Sequence, residues 1–177
     1  MEGLHFVDAC TEEHFSAMSA IHARGWHDTY PGYVPDDYLR DVITEDHWVP
    51  LFREDYRTGR RRGLLLCRGD APAACCTYGP ARLSLPGEAA YSGWGEVCSF
   101  YAEPAEIGRG CGSMLMEETL RRLKADGFSS CFVLVLKENE RARRFYARHG
   151  FAWDGTHKDI PFPHDMVCVD LRYTRAL

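Results

Sequence analysis

The sequence predicts a mixed α/β (α+β) domain, with about seven strands in one mostly antiparallel mixed sheet and helices on both faces. Three observations carry that prediction. First, a β-prone run, WGEVCSFYAEP (94–104), is stopped by a proline and passes through the glycine-rich EIGRGCGSML (106–115) into a helical pattern. The doubly apolar FSSCFVLVL (128–136) follows, which is the order of a strand–helix–strand unit with a central strand covered on both faces. Second, GLLLCRG (63–69) and APAACCTYG (71–79) flank Gly69 and Asp70 as an antiparallel pair. Third, 177 residues suit one domain spanning residues 1–177.

The remaining elements follow in chain order. GLHFVDA (3–9) alternates in polarity and reads as a strand. Thr11, with Glu13 and His14 behind it, is an N-cap candidate for a helix to about Thr29 that carries Phe15, Met18, Ile21, His22 and Trp26 on one stripe. Pro31 and Gly32 break it, and a short helix starts after Pro35. Thr44 is expected to cap another helix, to about Arg57. Residues 80–93 read as a loop. The helix after the glycines runs from about Gly110 to Asp126, with Met116, Thr119, Leu120 and Leu123 on one face and Gly127 as its stop. NERARRFYARHG (139–150) is a short helix, and FAWDG and DMVCVDLRYTRAL supply two more strands around an IPFPH loop.

A net charge of −5 and a pI near 5.9 do not favour a polyanionic partner, so no nucleic acid is expected. The basic cluster RTGRRRG (57–63) reads as a solvated loop, with a local anion-binding role left open. The first residues lack a cationic region followed by an apolar core, so they do not read as a signal peptide. The longest apolar run, CFVLVL, is far short of the roughly 18 residues of a membrane span, so a cytoplasmic protein without a membrane partner is expected. Eight cysteines sit mostly in apolar strand-like runs without a CxxC, which reads as small buried hydrophobes. No histidine pair has ligand spacing on one face, and no metal is expected.

The glycines carry the first functional signal. A strand that ends in a glycine-rich turn and enters a helix exposes unpartnered amides at the positive end of the helix dipole, and glycine lets a bulky phosphate reach them. Gly108, Gly110 and Gly112 would open the amides of residues 108–113, including Arg109, Cys111 and Ser113, to a pyrophosphate. The P-loop pattern fails because no Lys-Thr or Lys-Ser pair follows in register, and the dinucleotide fingerprint fails because the spacing is GxGxG. A plain tight turn stays open on the loop alone.

Other residues narrow the choice. The coenzyme A loop of the GNAT superfamily, the acyl-CoA-dependent N-acyltransferases, has the pattern Q/R-x-x-G-x-G/A, met here at Gly110 and Gly112. A later helix of that family opens with Asn and carries R-A-x-x-F-Y-x-x-x-G-F, matched by Arg141, Ala142, Phe145, Tyr146, Gly150 and Phe151. The early WHDTYPGYVPDDYL and the late LRYTRAL are also similar to one branch, so the resemblance covers nearly the whole chain. It departs at Ile107, where the family usually has Gln or Arg; Arg109 is the candidate to supply the missing charge. The resemblance implies an N-acetyltransferase using acetyl-CoA and a small-molecule or peptide amine by direct attack in a ternary complex, and family members often form homodimers. It also implies cofactor contacts from Phe100, Tyr101, Ala102, Asn139 and Arg143.

Transfer from a thioester to an amine needs a base, oxyanion stabilisation and a proton for the departing thiolate. Glu96, an acid within an apolar strand beside Trp94, Val97, Phe100 and Tyr101, is the leading base candidate; a salt-bridged strand glutamate is the competing reading. The resemblance supports the base and implies Tyr146 as general acid, where the stripe alone would make it core. Asn139 reads as a helix cap and, by resemblance, as a contact to the pantetheine arm. Strand residues Ser99 to Ala102 would offer backbone groups to that arm. Trp26, His27, Tyr30 and Tyr33, with Ser99, are the expected acceptor wall, and His164 in the IPFPH loop lies opposite as a second candidate base. A non-catalytic acyl-CoA-binding module, another acyl donor or an alcohol acceptor stay open.

Overall fold

The computed structural model describes residues 3–82 and 91–177, whose seven strands form one sheet in the order β1-β2-β3-β4-β5-β7-β6. Strands β1 (Leu4–Ala9), β2 (Arg62–Arg68), β3 (Ala71–Pro80) and β4 (Gly95–Ala102) make one antiparallel half. Strands β5 (Ser130–Leu136), β6 (Ala152–Pro161) and β7 (Val167–Ala176) make the other, with β7 between its partners. The halves meet where β4 lies parallel to β5, joined by helix α4 (Cys111–Ala125).

Alternation along the strands sends side chains to two cores. Leu64, Leu66 and Cys76 pack beneath Leu115, Met116 and Leu123 of α4. Their neighbours Leu65, Cys67 and Cys75 pack beneath Phe15, Met18 and Ile21 of α1 (Glu12–Thr29) and Phe52 of α3 (Val49–Thr58). A third cluster joins α1 to α2 (Asp36–Asp41) and to Leu136 and Cys168 of the sheet. Each fully buried leucine or methionine contributes about 1.5–3 kcal/mol, and helix α5 (Glu140–Arg148) closes the α4 face through Tyr146. All eight cysteines are free thiols and six of them are buried.

Local chemistry sets the element ends. Thr11 Oγ1 accepts from the His14 amide at 3.3 Å and caps α1 as its spacing predicts. Thr44 does not cap the next helix. Its hydroxyl donates to Asp46 at 2.6 Å and its carbonyl accepts from the His47 amide, which makes a turn. Helix α3 waits until Val49 because Pro50 has no amide and is tolerated only in a first turn. Strand β6 is longer than the sequence suggested, since Gly155 falls in a register shift between Trp153 and His157 and pairing with β7 then resumes to Pro161. Of the loop expected over 80–93, residues 83–90 lie outside the described residues.

The feature that positions the site is a parting in the sheet. β4 pairs with β5 only where Gly95, Glu96 and Val97 face Cys131, Phe132 and Val133. On its other side, Ser99 faces Thr77 and Val97 faces Tyr78, which leaves Cys98 as the extra residue of a bulge. A bulge bends its strand and raises its twist. Beyond Val97 the two strands separate, and β4 presents Phe100, Tyr101 and Ala102 to an open wedge.

Helix α1 is drawn close to that wedge at Gly25, where an added Cβ would lie 2.3 Å from Cδ1 of Tyr101. Alanine favours helix by about 1 kcal/mol over glycine, but overpacking costs typically 1–3 kcal/mol. Gly25→Ala is therefore expected to lower the urea midpoint; a raised midpoint would show that the Tyr101 ring is not held against the helix.

Candidate active site

The glycine turn forms a cradle. Pro104 stops β4, Ile107 donates to the Pro104 carbonyl at 3.3 Å, and Gly108 and Gly110 take φ of 81° and 86°, a left-handed conformation that a side chain disfavours. Gly110 is the N-cap of α4, so the amides of Cys111, Gly112 and Ser113 have no carbonyl partner among the described residues. Gly112 has a different reason to be glycine: a Cβ there would meet the Phe145 ring at 3.4 Å, closing the gap between α4 and α5. The cradle opens on a cavity of about 500 Å³ walled by Phe100, Tyr101, Ala102, Ile107 and the start of α5.

Around the cradle the charges are already paired. Glu106 lines the cavity, accepts from Arg68 at 2.8 Å, from Arg109 at 3.4 Å and from the Cys111 thiol at 3.2 Å. The hydrogen bond from Arg68, then that from Cys111, lowers its carboxyl to about 2. Arg109 therefore lies beside Glu106 and does not line the cavity, and Cys111 is buried behind the turn. Arg143 does not line the cavity. Its guanidinium bonds the Tyr173 hydroxyl at 3.1 Å and the Lys137 carbonyl at 3.0 Å, because its position on α5 is turned toward β7. Arg141 and Arg148 of the same helix line the cavity instead, with Arg141 donating to Asp28 at 3.0 Å.

A second cavity, of about 300 Å³, lies on the α1 face of the sheet. Thr29, Phe100, Tyr101, Asn139, Ala142 and Tyr146 line both cavities, so the two spaces meet at the parting. Asn139 caps α5 by accepting from the Ala142 amide at 3.0 Å, which leaves its side-chain NH2 group for a ligand. Tyr146 is 6 % exposed at this junction, and burial raises its phenol pKa, so it is protonated at neutral pH.

Of the expected acceptor wall, Trp26, Tyr30 and Ser99 line the second cavity, Ser99 sharing a 2.7 Å hydrogen bond with Thr77. Three expected residues do not. His27 Nε2 is bonded to the Ile43 carbonyl at 2.9 Å, Tyr33 is exposed outside the cavity, and His164 sits exposed on Asp37 at 2.9 Å. Each is held by local geometry that helical or loop position does not encode. His22, read only as part of a stripe, lines the cavity between Trp48 and Tyr101, and burial drives its imidazole down to about 3. Its Nδ1 is buried without a hydrogen-bond partner among the described residues.

Glu96, the expected base, lies outside the cavity lining. It is 1 % exposed, accepts from the Arg82 backbone amide at 2.8 Å and from Arg82 Nε at 2.9 Å, and Arg82 Nη2 donates to it as well. Both carboxylate oxygens face that one arginine, and the cavity wall is formed by Arg82 with Glu96 behind it. The carboxylate thus faces Arg82 and not the cavity. The cavity does contain another strand acid that sequence reading passed over. Asp170 of β7 lines it, opposite Lys158 of β6, and burial raises its carboxyl to about 6.

The family model for the acetyltransferase (GNAT) family matches residues 21–151. The chain belongs to that family. Over 129 residues it is 24 % identical to the uncharacterized N-acetyltransferase YuaI of Bacillus subtilis, covering 72 % of this chain and 69 % of that one. It is 30 % identical over 130 residues to mycothiol acetyltransferase of Mycobacteroides abscessus, covering 73 % of this chain but 38 % of that protein. Among solved structures, the PaiA N-acetyltransferase of Thermoplasma acidophilum in complex with coenzyme A superposes with a TM-score of 0.76 at 15 % identity, over 98 % of this chain and 99 % of that one. YncA of Salmonella typhimurium, solved with its cofactor acetyl-CoA, gives 0.73 at 15 % identity over 98 % and 94 %. These GNAT structures share the seven-stranded fold.

The Glu96–Arg82 clasp has a stability consequence. Removing one partner of a buried ion pair costs about 3–5 kcal/mol, and the lower end applies because Arg82 is 43 % exposed. Arg82→Leu is expected to lose that much in urea denaturation, with part recovered by adding Glu96→Gln. Unchanged stability would mean that the glutamate reaches water rather than the arginine.

Proposed function

We propose that this GNAT protein transfers the acetyl group of acetyl-CoA to a primary amine of a small molecule or peptide. The observation that carries the reading is the common wall of the two cavities at Tyr146, where a donor in one and an acceptor in the other would meet without leaving the protein. Both spaces can be filled together, which suits direct attack in a ternary complex.

The residues present fit coenzyme A. Orphaned amides at the α4 N-terminus, reached past two glycines with no Cβ in the way, suit a pyrophosphate, and Asn139 and the side of Phe100–Ala102 that faces away from β3 suit an amide-bearing arm. Ile107 faces the same cavity in place of the polar residue usual in the family. Bound there, acetyl-CoA supplies an activated acyl group and a thiolate leaving group. Tyr146, kept protonated by burial, donates the proton that the departing sulfur takes. The β4 backbone at the bulge offers amide dipoles to the carbonyl oxygen as charge develops.

Calorimetry with acetyl-CoA and thiol release across a panel of primary amines test this reading; no binding, or binding with no amine-dependent release, would overturn it. Tyr146→Phe is expected to lower kcat at least tenfold with acetyl-CoA affinity kept, and retained turnover would remove the acid role. Arg109→Ala is expected to weaken acetyl-CoA binding a few-fold, as for an exposed charge contact. Unchanged affinity would assign the anion to the backbone amides and leave Arg109 with Glu106.

A further inference from the structure

We infer that Asp170, not Glu96, takes the proton from the acceptor amine. The inference rests on the acetyltransferase reading above and names the base of the same site. Three observations converge on it. The strand acid first expected to serve, Glu96, has both oxygens on Arg82 and lies behind the cavity wall. Asp170 lies in the wall itself, on the strand that flanks β5 across the parting from β4, with its Cα opposite Leu136. It also lies within electrostatic reach of the hydroxyls of Tyr30, Tyr101 and Tyr146, the last of which stands at the junction of the two cavities.

The groups around Asp170 set its behaviour. Lys158 of β6 and Arg82 after β3 favour its charge; Glu138, at the turn before α5, opposes it, and Cys168 lies two residues along β7. Tyr30 after α1, Tyr101 of β4 and Tyr146 of α5 stay neutral and can donate hydrogen bonds. Burial outweighs the cations and lifts the carboxyl to about 6. That value leaves Asp170 ionised at neutral pH yet a stronger base than an ordinary aspartate, whose reference is about 3.9.

The step balances on the residues present. The amine nitrogen bonds to the acyl carbon and the carbon–sulfur bond breaks. Asp170 takes one proton from that nitrogen, and Tyr146 gives one to the sulfur. Tyr146 is restored by the proton held on Asp170, passed through the cavity, so a neutral amine and a thioester leave as an amide and a thiol. An acceptor that enters as an ammonium loses one further proton to water. An ionised carboxylate among Trp26, Tyr30 and Tyr101 also favours entry of a cationic amine.

The sign of the pH effect follows. Activity requires ionised Asp170, so kcat/KM should fall as pH drops through about 6. Asp170→Asn is expected to lower kcat at least 100-fold and to abolish that acid limb, with acetyl-CoA affinity by calorimetry unchanged. Lys158→Met removes a neighbouring cation and should move the limb upward. Glu96→Gln should keep the limb. Carbon-detected NMR of the Asp170 carboxyl in the whole protein is the readout that needs no acceptor, with titration expected near 6. Titration near 4, or an Asp170→Asn variant that keeps both rate and limb, overturns the assignment. Failure of the wild type to bind acetyl-CoA would instead overturn the acetyltransferase reading, while the NMR titration would still decide the state of Asp170.

Discussion

The separation of β4 from β5 beyond Val97 is the constraint on which the rest of the site depends. A sheet whose central strands stayed paired would bury both backbones in ladder hydrogen bonds and leave no channel between its faces. The extra residue at Cys98 ends that pairing after three residue pairs. The α4–α5 face and the α1 face then communicate through one gap, and Phe100, Tyr101 and Tyr146 stand in it. Helix positions follow from the same gap. Gly25 lets α1 approach Tyr101, and Gly112 lets α4 approach Phe145. Both glycines act through the missing side chain rather than through backbone freedom, unlike Gly108 and Gly110.

Charge is distributed unequally across the gap. Near the cradle, Glu106 is held ionised by Arg68 and Arg109, so an arriving pyrophosphate meets a carboxylate already neutralised and a helix terminus with free amides. Along the second cavity, Arg82 is matched by Glu96 and Arg61 by Asp55 at 2.8 Å. Asp170 is different, because its neighbours leave burial as the dominant effect on its carboxyl. Desolvation that outweighs ion pairing is the condition under which a carboxylate becomes a usable base.

The readable parts of the sequence were those whose geometry is local. The cradle lies in ten consecutive residues, EIGRGCGSML, and glycine at 108 and 110 has a backbone meaning that needs no knowledge of distant partners. The β2–β3 pair, the α1 cap at Thr11 and the βαβ unit were legible for the same reason. The second cavity is assembled from α1, α3, β3, β4, β5, α5, β6 and β7, so no short window describes it. His27, Tyr33 and His164 lie close in sequence to cavity residues, yet hydrogen bonds to Ile43 and Asp37 and plain exposure take them elsewhere.

Glu96 and Asp170 show how far a sequence signal can go. GEVCSF and VCVDLRY each place one acid in an apolar strand, and the burial cost of a charge flags both equally. What separates them is the third dimension. The loop after β3 returns Arg82 onto Glu96 with backbone and side chain together, whereas the β6 partner in register with Asp170 is a lysine. Burial raises the Asp170 carboxyl, and the cations near it, Lys158 and Arg82, do not offset that. Identical patterning thus gives one acid clasped behind the wall and one that lines the cavity. The difference in placement is decided by which cation the fold delivers to each carboxylate.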